Sequence, residues 1–165
     1  MFLELQLLQR TIWAPLDLEI SDPVLDKEAS EYMGCDFLVN GLHVKFRKAK
    51  ITPKKTGLFV TLWQRDFKGK TIPFHQNHST ELYIIMAQKS EKDSFFIFPK
   101  QALVLANILS TDHKEGKRGF RLYTPWDTTN NGQAMKSQQW QSNYFFETEL
   151  PVDKMIARLK ALLPS

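Results

Sequence analysis

Six consecutive apolar residues, Leu82-Tyr83-Ile84-Ile85-Met86-Ala87, set the terms for any fold this chain can adopt. A strand with that composition has no polar face, so it belongs in the middle of a sheet covered on both sides. Phe95-Phe96-Ile97-Phe98 follows a charged turn (Glu91, Lys92, Asp93) and reads as its hairpin partner. The rest of the chain has to supply two covering layers.

The other elements are read from punctuation and period. Residues 1–13 have helical character, with Leu5, Leu8 and Ile12 on one side and Pro15 as the stop. Asp22 as N-cap and Pro23 at the first position predict a second helix, closed by Gly34. Asn40-Gly41 predicts a tight hairpin turn between Phe37–Val39 and Leu42–Ile51. Leu58–Arg65, Thr71–Phe74 and Phe120–Tyr123 read as further strands. Pro99 opens a helix, and Met135–Glu147 and Pro151 onward read as two more, with Pro164 closing the last. The order gives one domain over 1–165: N-terminal helices 1–33, a sheet core 34–125 and C-terminal helices 134–163. The fold class is α/β (mixed α+β), a central mixed β-sheet flanked by helices.

Charge is the second constraint. Residues 43–70 carry nine basic side chains against Asp66 alone. Of the chain's 22 basic and 18 acidic residues, that leaves 13 basic and 17 acidic elsewhere, so the positive excess belongs to one segment. A cluster of this kind points to a polyanion partner, and aromatics between the charges point to nucleic acid, single-stranded forms included. The candidate phosphate contacts are Lys45, Arg47, Lys48, Lys50, Lys54, Lys55 and Arg65, with Trp63 as a stacking surface. Gly116-Lys117-Arg118-Gly119-Phe120-Arg121 is a second basic site, in which Arg118 and Arg121 are candidates for the far wall of a cleft. The acidic lead-in, residues 1–33, is expected to pack away from the ligand.

Cleavage chemistry would need carboxylates converging on a divalent cation. Asp36, Glu81 and Lys50 are the weak catalytic candidates: Asp36 precedes the Asn40-Gly41 turn, and Lys48-Ala49-Lys50 stands where a nuclease carries (Asp/Glu)-x-Lys. Lys48 occupies the acidic position and would repel a cation, so no cofactor is expected, and magnesium only if these carboxylates act as a nuclease. His75 and His78 do not complete a zinc pattern. One cysteine, Cys35, excludes an intramolecular disulfide framework. No apolar run reaches 18 residues, and the N-terminus does not read as a signal peptide. A cytoplasmic monomer with no membrane association is the expectation.

Three stretches carry a resemblance. FRKAKITPKKTGLFVTLWQRD (46–66), KRGFRLYTPWD (117–127) and AMKSQQWQSNYFFE (134–147) are similar to signatures of the bacterial MepB-like family, a resemblance covering roughly Tyr32 to Glu147. It implies a core like that of the restriction endonucleases of the PD-(D/E)XK class, without the catalytic acids and lysine in recognisable form, and an association with multidrug-efflux genes. A degenerate nuclease scaffold that binds nucleic acid without cutting it is the expected function. The alternatives are a divergent magnesium-dependent nuclease, and a protein or small-molecule interaction module with Trp126, Trp140 and Tyr144 around an apolar pocket.

Overall fold

The computed structural model describes residues 1–163. In chain order the elements are α1 (Leu3–Leu8), running on through a π-helical turn (Gln9–Trp13) and a 3-10 turn (Ala14–Leu16), β1 (Val24–Leu25), a 3-10 segment (Lys27–Tyr32), β2 (Cys35–Val39), β3 (Leu42–Lys48), β4 (Lys50–Ile51), β5 (Leu58–Thr61), β6 (Trp63–Arg65), β7 (Thr71–Pro73), β8 (Leu82–Lys89), β9 (Lys92–Pro99), α2 (Lys100–Leu105), β10 (Gly119–Leu122), α3 (Gly132–Ser142), β11 (Phe145–Glu147) and α4 (Val152–Leu162).

Six strands form the central sheet in the order β1-β2-β3-β8-β9-β11. Every pairing is antiparallel except β3 with β8, so the sheet is mixed. The apolar run lies at its centre, as its composition requires. Ile84 and Met86 face one layer, built from Leu5, Leu8, Ile12 and Trp13 of the N-terminal helix and Met155 and Leu159 of α4. Tyr83, Ile85 and Ala87 face the other, built from Leu58 and Val60 of β5, Phe120 and Leu122 of β10, and Leu103 of α2. Three short strands, β10-β5-β4, make a second sheet over that face, and β6 with β7 makes a separate two-stranded ribbon. Cys35 is fully buried, and burial pushes its thiol up to about 11, which leaves it unreactive near neutral pH.

Several local expectations hold. Asn40 and Gly41 both have positive φ (50° and 77°), as the tight hairpin turn needs. Pro99 caps α2, and Pro151 caps α4. Two expectations are overturned. The helix predicted after Asp22 is instead a two-residue strand paired with β2, followed by 3-10 turns. Asp26, not Asp22, caps those turns through Glu28 N. Met33 takes the left-handed position at their end (φ 51°). Gly34 serves close packing, since a Cβ there would meet Ala29 Cβ at 2.5 Å and Arg47 Nη1 at 2.9 Å. The helix predicted over Met135–Glu147 stops at Ser142, and Phe145–Glu147 pairs with the open edge of β9. The closing role read for Pro164 lies outside the described residues.

Candidate functional site

Lys45, Arg47 and Lys48 lie on β3 and Lys50 on β4, and acids of residues 4–36 lie against all four rather than away from them. Lys45 Nζ donates to Asp36 Oδ1 (2.9 Å), Arg47 Nη2 to Asp26 Oδ2 (2.9 Å), Lys48 Nζ to Glu4 Oε2 (2.8 Å) and Lys50 Nζ to Glu31 Oε2 (3.2 Å). Arg65 Nε donates to Glu28 Oε1 (2.9 Å). Lys45 is 4% exposed and Arg47 1%. Burial lowers the Arg47 pKa, and Asp26 and Asp36 oppose that shift. Five of the seven candidates in the basic segment therefore already hold an acid from residues 4–36. For Lys45 and Arg47, pairing is the ordinary solution for cations that cannot be buried alone.

One pair has a pH consequence. The Lys48 hydrogen bond holds the Glu4 carboxyl below its usual range. A lowered pKa in the folded state means that the pair's stabilisation is complete above the ordinary glutamate pKa and disappears as pH falls through the lowered one. Acid titration is expected to loosen α1 below about pH 4.5, with the fluorescence of buried Trp13 as readout. In Glu4→Gln that acid-dependent phase is expected to vanish.

Among the described residues, Lys54 and Lys55 carry no ion pair and stand exposed on the turn between β4 and β5. Arg121 builds that turn: its Nε donates to Thr56 O (3.1 Å), and its Nη2 to Thr52 Oγ1 (2.6 Å) and Gly57 O (3.2 Å). Gly57 has φ 85°, and a Cβ there would lie 2.6 Å from Leu122 O. Arg118 is likewise a clamp, donating from Nε and Nη2 to Thr71 O (3.1 and 2.9 Å) and from Nη2 to Glu115 (3.3 Å).

Beside the turn is a cleft of about 570 Å³. Lys55, Lys117 and Arg121 line it, with Phe59, Tyr123 and Trp140 as its aromatic surfaces and Asn130 and Asn131 at the start of α3. Among the described residues no carboxylate lines it. Register explains the arrangement. Phe59 and Arg121 face each other on β5 and β10, so they share one face, away from the core side taken by Val60 and Phe120. The wall opposite is α3, which starts at the cleft with Asn131 Oδ1 accepting from Ala134 N (2.8 Å). α3 has little amphipathic character and is seated by polar bonds. Fully buried Gln141 accepts from Tyr123 N (2.8 Å) and donates to Arg121 O (2.9 Å), and Gln138 donates to Thr124 O and Asp127 O. Asp127 in turn accepts from Lys89 and from Thr124 N.

The remaining candidates are dispersed. Asp36 stands opposite Lys45, which stands opposite Tyr83, so Glu81 is two strands and two residues away. Strand spacing and rise put the Asp36 and Glu81 backbones about 12 Å apart, with the Lys45 ammonium on the intervening strand. Lys50 lies on β4, in the other sheet. Trp63 is half-buried with the Arg65 guanidinium 5.2 Å from its ring centre. Trp126, Trp140 and Tyr144 do not enclose one pocket: Trp140 and Tyr144 line a 240 Å³ hollow with Ala102 and Leu105, while Trp126 packs on Phe145 beneath Lys92. Among the described residues, no helix is long and apolar enough to cross a membrane. Lys117 lines the cleft, although only Arg118 and Arg121 of the second basic stretch stood out in the sequence. Gly119 lets β10 lie close to β5 beside it, since a Cβ there would lie 2.7 Å from the Phe59 ring.

A family model described as MepB-like matches residues 26–147. A solved structure described as the crystal structure of MepB superposes with a TM-score of 0.78 at 29% identity, over 92% of this chain and all of that one. No curated protein matches. The matched span holds both basic stretches, the cleft and α3.

Proposed function

The chain belongs to the MepB-like family, and from that premise we propose that it binds nucleic acid along the Lys54–Lys55 turn and the cleft beside it. The single observation behind this reading is the cleft's lining: cations and aromatic faces together, with no carboxylate among the described residues. Lysines would meet phosphates, and Tyr123 and Trp140 would meet bases. Arg121 is already immobilised by its three bonds to the turn, so a phosphate settling on it costs little side-chain entropy. The start of α3 adds the positive end of a helix dipole to the same space. Lys45 and Arg47, buried in their pairs with Asp36 and Asp26, serve the fold and not the contact surface. Binding without cleavage fits the positions of the acids, since Asp36 is held by Lys45 and Lys48 stands where an acid would be needed.

The test is binding of labelled single-stranded and duplex DNA and RNA across a salt series, with magnesium present so that cleavage is visible. With about four phosphates engaged, log K against log salt is expected to slope by roughly −3 for single strands and roughly −3.5 for duplex. Lys54→Ala with Lys55→Ala should flatten the single-strand slope by about 1.4, while Lys48→Met leaves it unchanged. No binding at low salt, or a slope indifferent to Lys54 and Lys55, overturns the reading. Magnesium-dependent cleavage lost in Asp36→Asn would establish the nuclease instead.

A further inference from the structure

The ribbon of β6 and β7 takes no part in the cleft, yet its turn is held by a dense set of hydrogen bonds. Its tip is Asp66-Phe67-Lys68-Gly69-Lys70. Asp66 Oδ1 accepts from both Lys68 N and Lys70 N (2.9 Å each). Asp66 N donates to Lys70 O, Gly69 N to Asp66 O, and Arg65 Nη1 to Gly69 O. Gly69 supplies the positive φ of 82° that the turn requires. The base is held as firmly, because Arg118 grips Thr71 O, Leu62 N donates to Arg118 O, and Arg65 is tied to Glu28. On this rigid mount Phe67 is 94% exposed. An aromatic ring held in water by a braced turn gains nothing for the fold. Around it stand Lys68, whose Nζ is 5.6 Å from the ring centre, and Lys70, both exposed. The nearby carboxylates are engaged, Asp66 in shaping the turn and Glu28 in its pair with Arg65.

We propose that Phe67 is a stacking wedge for an unpaired nucleobase, with Lys68 and Lys70 holding the phosphates on either side. This rests on the nucleic-acid reading of the cleft and extends it to a second contact. A flat apolar ring between ammonium groups complements a planar base joined to an anion. Position supports the same partner. Arg118, which clamps the ribbon, is the chain neighbour of Lys117, which lines the cleft, so ribbon and cleft are joined through one short segment. A single aromatic offers too little apolar area for stable attachment to a lipid surface, which takes a broad apolar face or a second anchor.

The experiment compares the wild type, Phe67→Ala and Phe67→Trp in binding to a single-stranded oligonucleotide, to an abasic strand with the same phosphates, and to vesicles of phosphatidylglycerol. Phe67 is solvent-exposed, so these variants fold. Phe67→Ala is expected to weaken binding of the base-bearing strand by about 5- to 100-fold, leave the abasic strand unchanged and keep the salt slope. Phe67→Trp is expected to retain the affinity and to quench 2-aminopurine placed in the strand. Binding that depends on Lys54 and Lys55 but ignores Phe67 overturns the wedge and spares the cleft. Base-dependent binding lost in Phe67→Ala but indifferent to Lys54 and Lys55 supports the wedge and removes the cleft. Vesicle binding that requires Phe67, without nucleic-acid binding, replaces the partner with a membrane surface.

Discussion

Replacing Asp26 with alanine is expected to lower the unfolding free energy by about 3–5 kcal/mol. Arg47 lies under the 3-10 segment at 1% exposure, and Asp26 is its only carboxylate partner among the described residues. Its remaining hydrogen bond goes to its own strand, from Nη1 to Phe46 O (2.9 Å). Without Asp26 the guanidinium stays charged and has no solvent to turn to. Part of the loss, about 1 kcal/mol, comes from the cap that Asp26 makes to Glu28 N. The double variant Asp26→Ala with Arg47→Met removes the charge along with its partner. It is expected to recover most of the deficit, leaving the cap as the remainder. Urea unfolding of the single and double variants separates the two contributions. A loss below 1 kcal/mol in the single variant would show that the cation reaches water.

The same pair marks the limit of what could be read in the chain. The central strand was legible because Leu82–Ala87 has no polar face to leave in water, and the Asn40-Gly41 turn because few other dipeptides accept two positive φ values. The segment after Asp22 was not. Its helix-start residues were genuine local signals, but β1 exists only through pairing with β2, and Asp26 outcompetes Asp22 as a cap. Phe145–Glu147 likewise follows the open edge of β9 rather than its own helical neighbours. The charge count located the basic segment correctly. It could not locate the partners, because Glu4 meets Lys48 from 44 positions away, and only the folded sheet brings such pairs together. Arg118 and Arg121 stood out in the sequence only as charges, and their roles as clamps on Thr71 and on the basic turn depend on backbone carbonyls that every sequence has.

Phe98→Ala carries the other large effect and links the core to the cleft. Phe98 is fully buried on β9, with ring centres of Phe96, Trp140, Tyr144 and Phe120 at 5.7, 5.4, 5.6 and 6.4 Å. Truncation should cost about 3–5 kcal/mol through lost transfer energy and an unfilled cavity, whereas Phe98→Leu should cost nearer 1–1.5 kcal/mol. Trp140 and Phe120 pack on this ring and also line the cleft. The cavity would therefore open beneath two elements that wall the cleft, β10 and α3. Tryptophan fluorescence and near-ultraviolet circular dichroism are expected to change while far-ultraviolet helix and sheet signals persist. Affinity for a single-stranded oligonucleotide should fall by more than the unfolded fraction explains, because α3 no longer holds its wall in place. If Phe98→Ala loses the stability but the folded fraction binds as the wild type does, then α3 is not a wall of the binding site. The contact surface would then be reduced to the Lys54–Lys55 turn and the Phe67 ribbon.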